Sequence, residues 1–206
     1  MLPADTDPIL ASLVPYIPGA VLRRLEHTEA HALPPVEPVR GAILLLDIAG
    51  FTPIVVSLSG AGPRGIDALQ RLLTSYYTEM IDVVKDHGGD IYQFAGDSIL
   101  ACFEPLPGED DTGVVQRAAR CALGVQRRLL RFAQLELLGQ RFAVSSRIGI
   151  GFGESHRIVL GATGMWMHPA LIGQPLEQAV KAEKRAAVGE VLLSPEAWEL
   201  LPEGAR

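Results

Sequence analysis

The rhythm of apolar and polar positions changes several times along the chain. Residues 42–47, AILLLD, are apolar up to Asp47 and predict a buried strand. Residues 53–60 predict a short helical turn, ended by Gly60-Ala61-Gly62-Pro63. From Ile66 the apolar residues fall at spacings of three and four (Leu69, Leu72, Leu73, Tyr76, Met80, Val83, Val84). That stripe predicts an amphipathic helix closed by Gly88-Gly89. Two short apolar runs, Asp90–Phe94 and Ser98–Phe103, flank Ala95-Gly96-Asp97 and predict a hairpin.

Pro105–Gly113 reads as a loop and Val114 to Gln134 as a second long helix. Its basic side (Arg117, Arg120, Arg127, Arg128, Arg131) is expected to be a solvated face. Residues 142–150 and 157–160 predict a strand pair turning at Gly151 to Ser155. Gln174–Ala187 predicts a third helix, Glu190–Leu193 a strand and Pro195–Leu201 a last short helix. Upstream, residues 1–40 read as an extension: short helices over Asp7–Val14 and Gly19–Glu26, then a linker, His31 to Val39, with three prolines. Residues 41–206 read as one domain. Strands separated by helices, with hairpins among them, predict an α+β fold of helices packed on an antiparallel-rich sheet.

Composition narrows the function classes. A formal net charge of −6 gives no basic field for a phosphate backbone, so nucleic acid is not expected as a partner. Cys102 and Cys121 form no paired motif and are expected to be buried, reduced thiols in a cytoplasmic protein. The N-terminus MLPADTDPIL is acidic, unlike a signal peptide, and no apolar run reaches the length of a membrane span, so no membrane insertion by this segment is expected.

The chemistry concentrates on two aspartates. Asp47 ends the first strand, and Asp97 sits at the hairpin tip in FAGDSILACF. In a strand–helix–hairpin unit these lie side by side in one sheet, so the two carboxylates can meet at one edge. About 4 Å apart they would repel by roughly 4 kcal/mol at an effective dielectric of about 20, and so need a shared proton or a cation. Oxygen-only ligands on an open edge suit magnesium or manganese, which usually also hold substrate phosphates. That points to nucleotide chemistry with two ions at one phosphorus, and Gly50 would let the chain turn close to a triphosphate.

LLLDIAGFT and GGDIYQFAGDSILACF, with LIGQPLEQAVKAEKRA further on, resemble in order and spacing the motifs of class III adenylyl/guanylyl cyclase catalytic domains. The likeness spans residues 40 to about 197 and is nearest to the first catalytic domain of soluble adenylyl cyclases. It implies a ferredoxin-like domain working as a dimer, with two Mg²⁺ or Mn²⁺ held by Asp47, Asp97 and the backbone carbonyl of Ile48. It implies a triphosphate cradle from Ala49, Gly50, Phe51 and Thr52. The implied reaction is attack of the ribose 3′-hydroxyl on the α-phosphorus of ATP, giving cyclic AMP and pyrophosphate.

The departures from the family pattern are as informative. The adenine-reading lysine falls on Gln93, its purine-selecting partner on Ala170, the ribose-positioning asparagine on Glu177 and the transition-state arginine on Lys181. Neither purine-selecting position is diagnostic, so GTP stays open beside ATP. Glu177 and Lys181 are four apart on a helix and are expected to pair with each other. Lysine offers a point charge where arginine offers a fork, and a missing transition-state arginine can cost roughly 10³ to 10⁵ in rate. Lys181 is thus a weak substitute. The bicarbonate-binding positions of soluble adenylyl cyclases fall on Gln93 and Val180, so that regulator is not supported.

The expectation is a metal-binding half-site, weak or inactive alone, completed by a homodimer or by a second catalytic domain beyond Arg206. Two other readings stand beside it. One is a degenerate cyclase-like domain for dimerisation or nucleotide sensing. The other is a diguanylate cyclase, suggested by His87-Gly88-Gly89-Asp90-Ile91 but lacking the rest of that signature.

Overall fold

The computed structural model describes residues 36–161 and 167–205, together with the isolated positions Gly19 and Leu22, both helical. The short helices predicted near the N-terminus otherwise lie outside the described residues. In chain order the elements are β1 (Val36–Ala49), α1 (Phe51–Ser59), α2 (Gly62–Asp86), β2 (Asp90–Ala95), β3 (Ser98–Phe103), α3 (Asp111–Leu129), β4 (Leu135–Leu137), β5 (Gln140–Phe142), β6 (Ser145–Gly161), β7 (Met167–Ile172), α4 (Gln174–Arg185), β8 (Val191–Leu193) and α5 (Pro195–Glu199). The architecture is α+β. One sheet runs in the order β2-β3-β1-β6-β7, antiparallel throughout, and β8 joins β6 in parallel. β4 and β5 form a separate hairpin.

Strand β1 lies in the middle of the sheet, which is why its sequence is a continuous apolar run. Ala42, Leu44, Leu46 and Ile48 face the larger core beneath α2 and α3, against Tyr76, Met80, Val115, Ala118 and Val125. The alternate residues Val39 and Ile43 face a smaller cluster with Tyr92, Leu100, Leu171 and Ala179 of α4. Asp47 shares the parity of that second face. Cys102 and Cys121 are free and buried, and burial pushes the Cys121 thiol up to about 12.

Three expectations are corrected. The strand pair over 142–160 is one strand, β6, and Gly151 to Ser155 is no turn. Its glycines answer to a close approach. A Cβ on Gly149 would lie 2.0 Å from the backbone oxygen of Ala179, and one on Gly151 2.1 Å from that of Pro175, so α4 rests on bare backbone. β1 begins at Val36, inside the stretch read as a linker. The basic side of α3 is not simply solvated: Arg128 and Arg131 pair with Glu79, and Arg117 is nearly buried.

Two arginines, Arg157 buried and Arg117 nearly so, tie the elements together. Arg117 donates to Glu109 (2.9 and 2.7 Å) and to the carbonyls of His87, Gly88 and Glu104, joining α3 to the ends of α2 and β3. Arg157, 5% exposed, donates to Tyr92 Oη (2.7 Å) and Glu37 (2.7 Å) and also pairs with Glu104. The Arg117 guanidinium holds the Glu109 carboxyl below its ordinary value of 4.5. A depressed carboxyl contributes stability above the unfolded value and loses it as pH falls through the folded one. Thermal melts should therefore drop as pH falls below 4.5. Glu109→Gln should flatten that drop and cost about 1–3 kcal/mol at neutral pH. Among the described residues, no helix is long and apolar enough to cross a membrane.

Candidate active site

Asp47 stands two residues before the end of β1, opposite Arg147 of β6. Its Oδ2 accepts from Arg147 Nη2 at 2.8 Å and its Oδ1 from Ser98 Oγ at 2.8 Å. The β1–β3 ladder runs to Leu46 opposite Ile99, so one further step of the register sets Ser98 beside Asp47, and Asp97 is the next residue toward the turn.

Asp97 follows Gly96 in the β2–β3 turn. Gly96, at φ 65°, takes the first turn position that a type II′ hairpin reserves for glycine. Tyr77 of α2 fixes this tip: its hydroxyl donates to the Gly96 carbonyl at 3.1 Å, and its ring meets Phe94 edge-on at 5.4 Å. The two carboxylates share one electrostatic neighbourhood. Both raise Arg147, whose largest influence is the hydrogen bond to Asp47, and both add to the burial that pushes Tyr76 upward.

Between β1 and α1 the chain turns at Gly50, at φ 87°. A Cβ there would lie 2.6 Å from the Ala143 carbonyl oxygen, so both the conformation and the space call for glycine. No side chain caps α1. Pro53 has no N–H to offer, which leaves the amides of Gly50, Phe51 and Thr52 at the positive end of the helix. Ile48 and Ala49 complete the strand leading into this turn.

This donor set fits a hard divalent cation. It offers the carboxylates of Asp47 and Asp97 and the carbonyl of Ile48, all oxygens, beside the left-handed turn at Gly50. Among the described residues no group of three or more His, Cys, Asp or Glu could hold an ion by itself.

The remaining predicted positions lie apart from this cluster. Gln93 is exposed on β2 beside a bulge, and Ala170 is half-buried on β7 opposite Ile158. Glu177 and Lys181 pair as expected, at 2.9 Å, but on the outer face of α4 with side chains 65% and 66% exposed. The residue α4 turns toward Asp47 is Glu183, 10% exposed, whose Oε1 lies 3.2 Å from Arg147 Nε. Burial raises the Glu183 carboxyl, with Asp47 adding and Arg147 opposing.

Arg147, Glu183 and Tyr77 were not predicted. The sequence signal for the first was there: an arginine interrupting SSRIGIGF, on the parity of Gly149 and Gly151.

No protein-family model matches the chain. It is 28% identical over 169 residues to adenylate cyclase type 10 of Oryctolagus cuniculus, covering 81% of this chain and 10% of that protein. It is 32% identical over 121 residues to adenylate cyclase 1 of Rhizobium meliloti, covering 59% of this chain and 16% of that protein. The chain thus spans a small part of the length of the curated relatives it matches. Among solved structures it superposes on the adenylyl cyclase CyaB from P. aeruginosa with a TM-score of 0.65. That match is 24% identical and covers 80% of this chain and 81% of the other, a likeness of fold.

Proposed function

The chain is a homologue of adenylate cyclases with the fold of the class III adenylyl/guanylyl cyclase catalytic domain, and from that premise we propose that it is the metal-binding half of a nucleotide cyclase site. The reaction is conversion of ATP to cyclic AMP and pyrophosphate, for cyclic nucleotide signalling. The observation that carries this reading is Asp47 bonded to Ser98, the residue after Asp97, with both aspartates acting on Arg147 beside the uncapped start of α1, where Gly50 holds a left-handed turn.

Asp47, Asp97 and the Ile48 carbonyl would hold two Mg²⁺ or Mn²⁺, which supply Lewis-acid charge to an in-line attack of the 3′-hydroxyl on the α-phosphorus. The amides of Gly50, Phe51 and Thr52 cradle the triphosphate. Ser98 keeps Asp47 Oδ1 turned toward the site. Arg147 sits where its fork can meet a phosphate oxygen once Asp47 is engaged elsewhere.

The outward Glu177–Lys181 pair serves no group of its own subunit's metal cluster. The site is completed by a second copy or by a complementary catalytic domain that supplies the base-reading lysine, the ribose-positioning asparagine and the transition-state arginine. The same ion pair favours one second reading, a degenerate domain that binds nucleotide without turning it over.

The test is incubation of the chain with ATP and Mn²⁺. Manganese-dependent ATP binding, with slow cyclic AMP formation, that disappears in Asp47→Ala supports the cyclase reading. ATP binding without cyclic AMP supports the sensing reading. ATP binding indifferent to Asp47→Ala and to metal removal overturns the cyclase reading, and no ATP binding at all overturns both. GTP in parallel reads the base preference.

A further inference from the structure

Arg147 lies between two carboxylates of unequal exposure. Its Nη2 donates to Asp47 at 2.8 Å. Its buried Nε has no hydrogen-bond partner, although Glu183 Oε1 is only 3.2 Å away, out of alignment. Glu183 itself is nearly buried on the inner side of α4, and its place is not adjustable. The backbone N of Glu183 would lie 2.4 Å from a Cβ on Gly149, so the helix is seated on the strand at this turn. A carboxylate buried beside Ala179 and Ala182 is costly unless it is paired; Arg147 is the cation its Oε1 lies against, and Lys184 adds a smaller attraction.

A guanidinium that neutralises Asp47 competes with any cation for the same oxygens. A second acceptor within reach changes that competition, because the guanidinium can turn to it when Asp47 is engaged. We propose that Glu183 is a positioning residue that draws Arg147 away from Asp47, keeping Asp47 available to a divalent cation. The proposal rests on the metal reading of Asp47 and Asp97. It assigns Glu183 no contact with metal or nucleotide; it acts through Arg147.

The experiment is titration of the whole chain with Mn²⁺ alone, with free Mn²⁺ read by electron paramagnetic resonance. Both Glu183→Gln and Glu183→Asp should weaken binding by on the order of tenfold, while their thermal melts stay near that of the unaltered chain. The aspartate keeps the charge but withdraws the carboxylate by about 1.5 Å. It therefore separates positioning from simple attraction between Glu183 and the cation. In an Arg147→Gln background, adding Glu183→Gln should change binding by less than about twofold.

Binding by Glu183→Asp equal to that of the unaltered chain would overturn the proposal and leave Glu183 a charge only. An undiminished Glu183→Gln effect in the Arg147→Gln background would do the same. Should Glu183→Gln not fold, Glu183→Asp carries the comparison in both backgrounds. A control separates the two levels of inference. If Asp47→Asn binds Mn²⁺ as the unaltered chain does, or the unaltered chain binds none, the metal reading falls and the proposal falls with it.

Discussion

Glu177→Asn and Lys181→Arg, made together, should raise cyclic AMP formation by the isolated chain by on the order of 10²- to 10³-fold. In the unaltered protein these two side chains satisfy each other at 2.9 Å on the exposed face of α4. An ion pair of this kind is worth only a few tenths of a kcal/mol, so breaking it leaves the fold intact. What it withholds is chemical. Lys181 carries a point charge already bonded to a carboxylate, and in the proposed dimer site Glu177 would bring negative charge to a place where phosphate charge develops. An arginine offers five donors in a planar fork, and in phosphoryl transfer such a group is worth roughly 10³ to 10⁵.

The expected gain lies below that range because Gln93 and Ala170, at the positions proposed to read the base, stay unaltered. Lys181→Arg alone should give much less, since Glu177 would capture the new guanidinium at the same i, i+4 spacing. The measurement is cyclic AMP from ATP and Mn²⁺. A double variant no faster than the unaltered chain would mean that α4 of one copy does not reach the proposed Asp47–Asp97 site of another.

Gly149→Ala should lower stability by about 3 kcal/mol or more. The methyl carbon would stand 2.0 Å from the Ala179 oxygen and 2.4 Å from the Glu183 nitrogen, and both are backbone atoms of α4. No rotamer relieves such a contact, so the helix must lift off β6. Ala179, fully buried in the second cluster, would go with it. For a domain of this size the loss corresponds to a melting temperature lower by about 6–12 °C. The same change at Gly204, where a Cβ meets nothing within 4 Å, should leave the melt unmoved.

The sequence showed most plainly what a single strand or helix decides for itself. The run to Asp47, the stripe from Leu69 to Val84 and the Gly96-Asp97 tip each follow from local periodicity or turn chemistry, and each appears in the fold as expected. The turn at Gly50 was legible for the same reason.

What was misread depends on a partner distant in the chain. Gly151 and Gly153 look like a turn until α4 is laid across them. The β4–β5 hairpin has strands of three residues, too short to show alternation, and its turn places Leu138 at φ 51° before Gly139, an unusual residue for that conformation. β7 carries Pro169, which reads against a strand unless the strand is at an edge. Arg147 and Glu183 are 36 residues apart on different elements, and only the seating of α4 on Gly149 brings them to one carboxylate. Arg117 looked like one of several surface arginines because its partners are mostly backbone carbonyls, which leave no mark in a sequence.

The buried guanidinium of Arg157 sets where the chain can be cut. Glu37 supplies one of its two carboxylates from the first residues of β1, upstream of the point where the apolar run begins. A fragment starting at residue 41 would keep Asp47, Gly50 and Asp97 yet lose Glu37, together with the strand pairs from Val36 to Arg40. Arg157 would then share Glu104 and Tyr92 with whatever water enters. Grafting this domain onto another protein, or shortening it for crystallisation, therefore calls for a junction upstream of Val36.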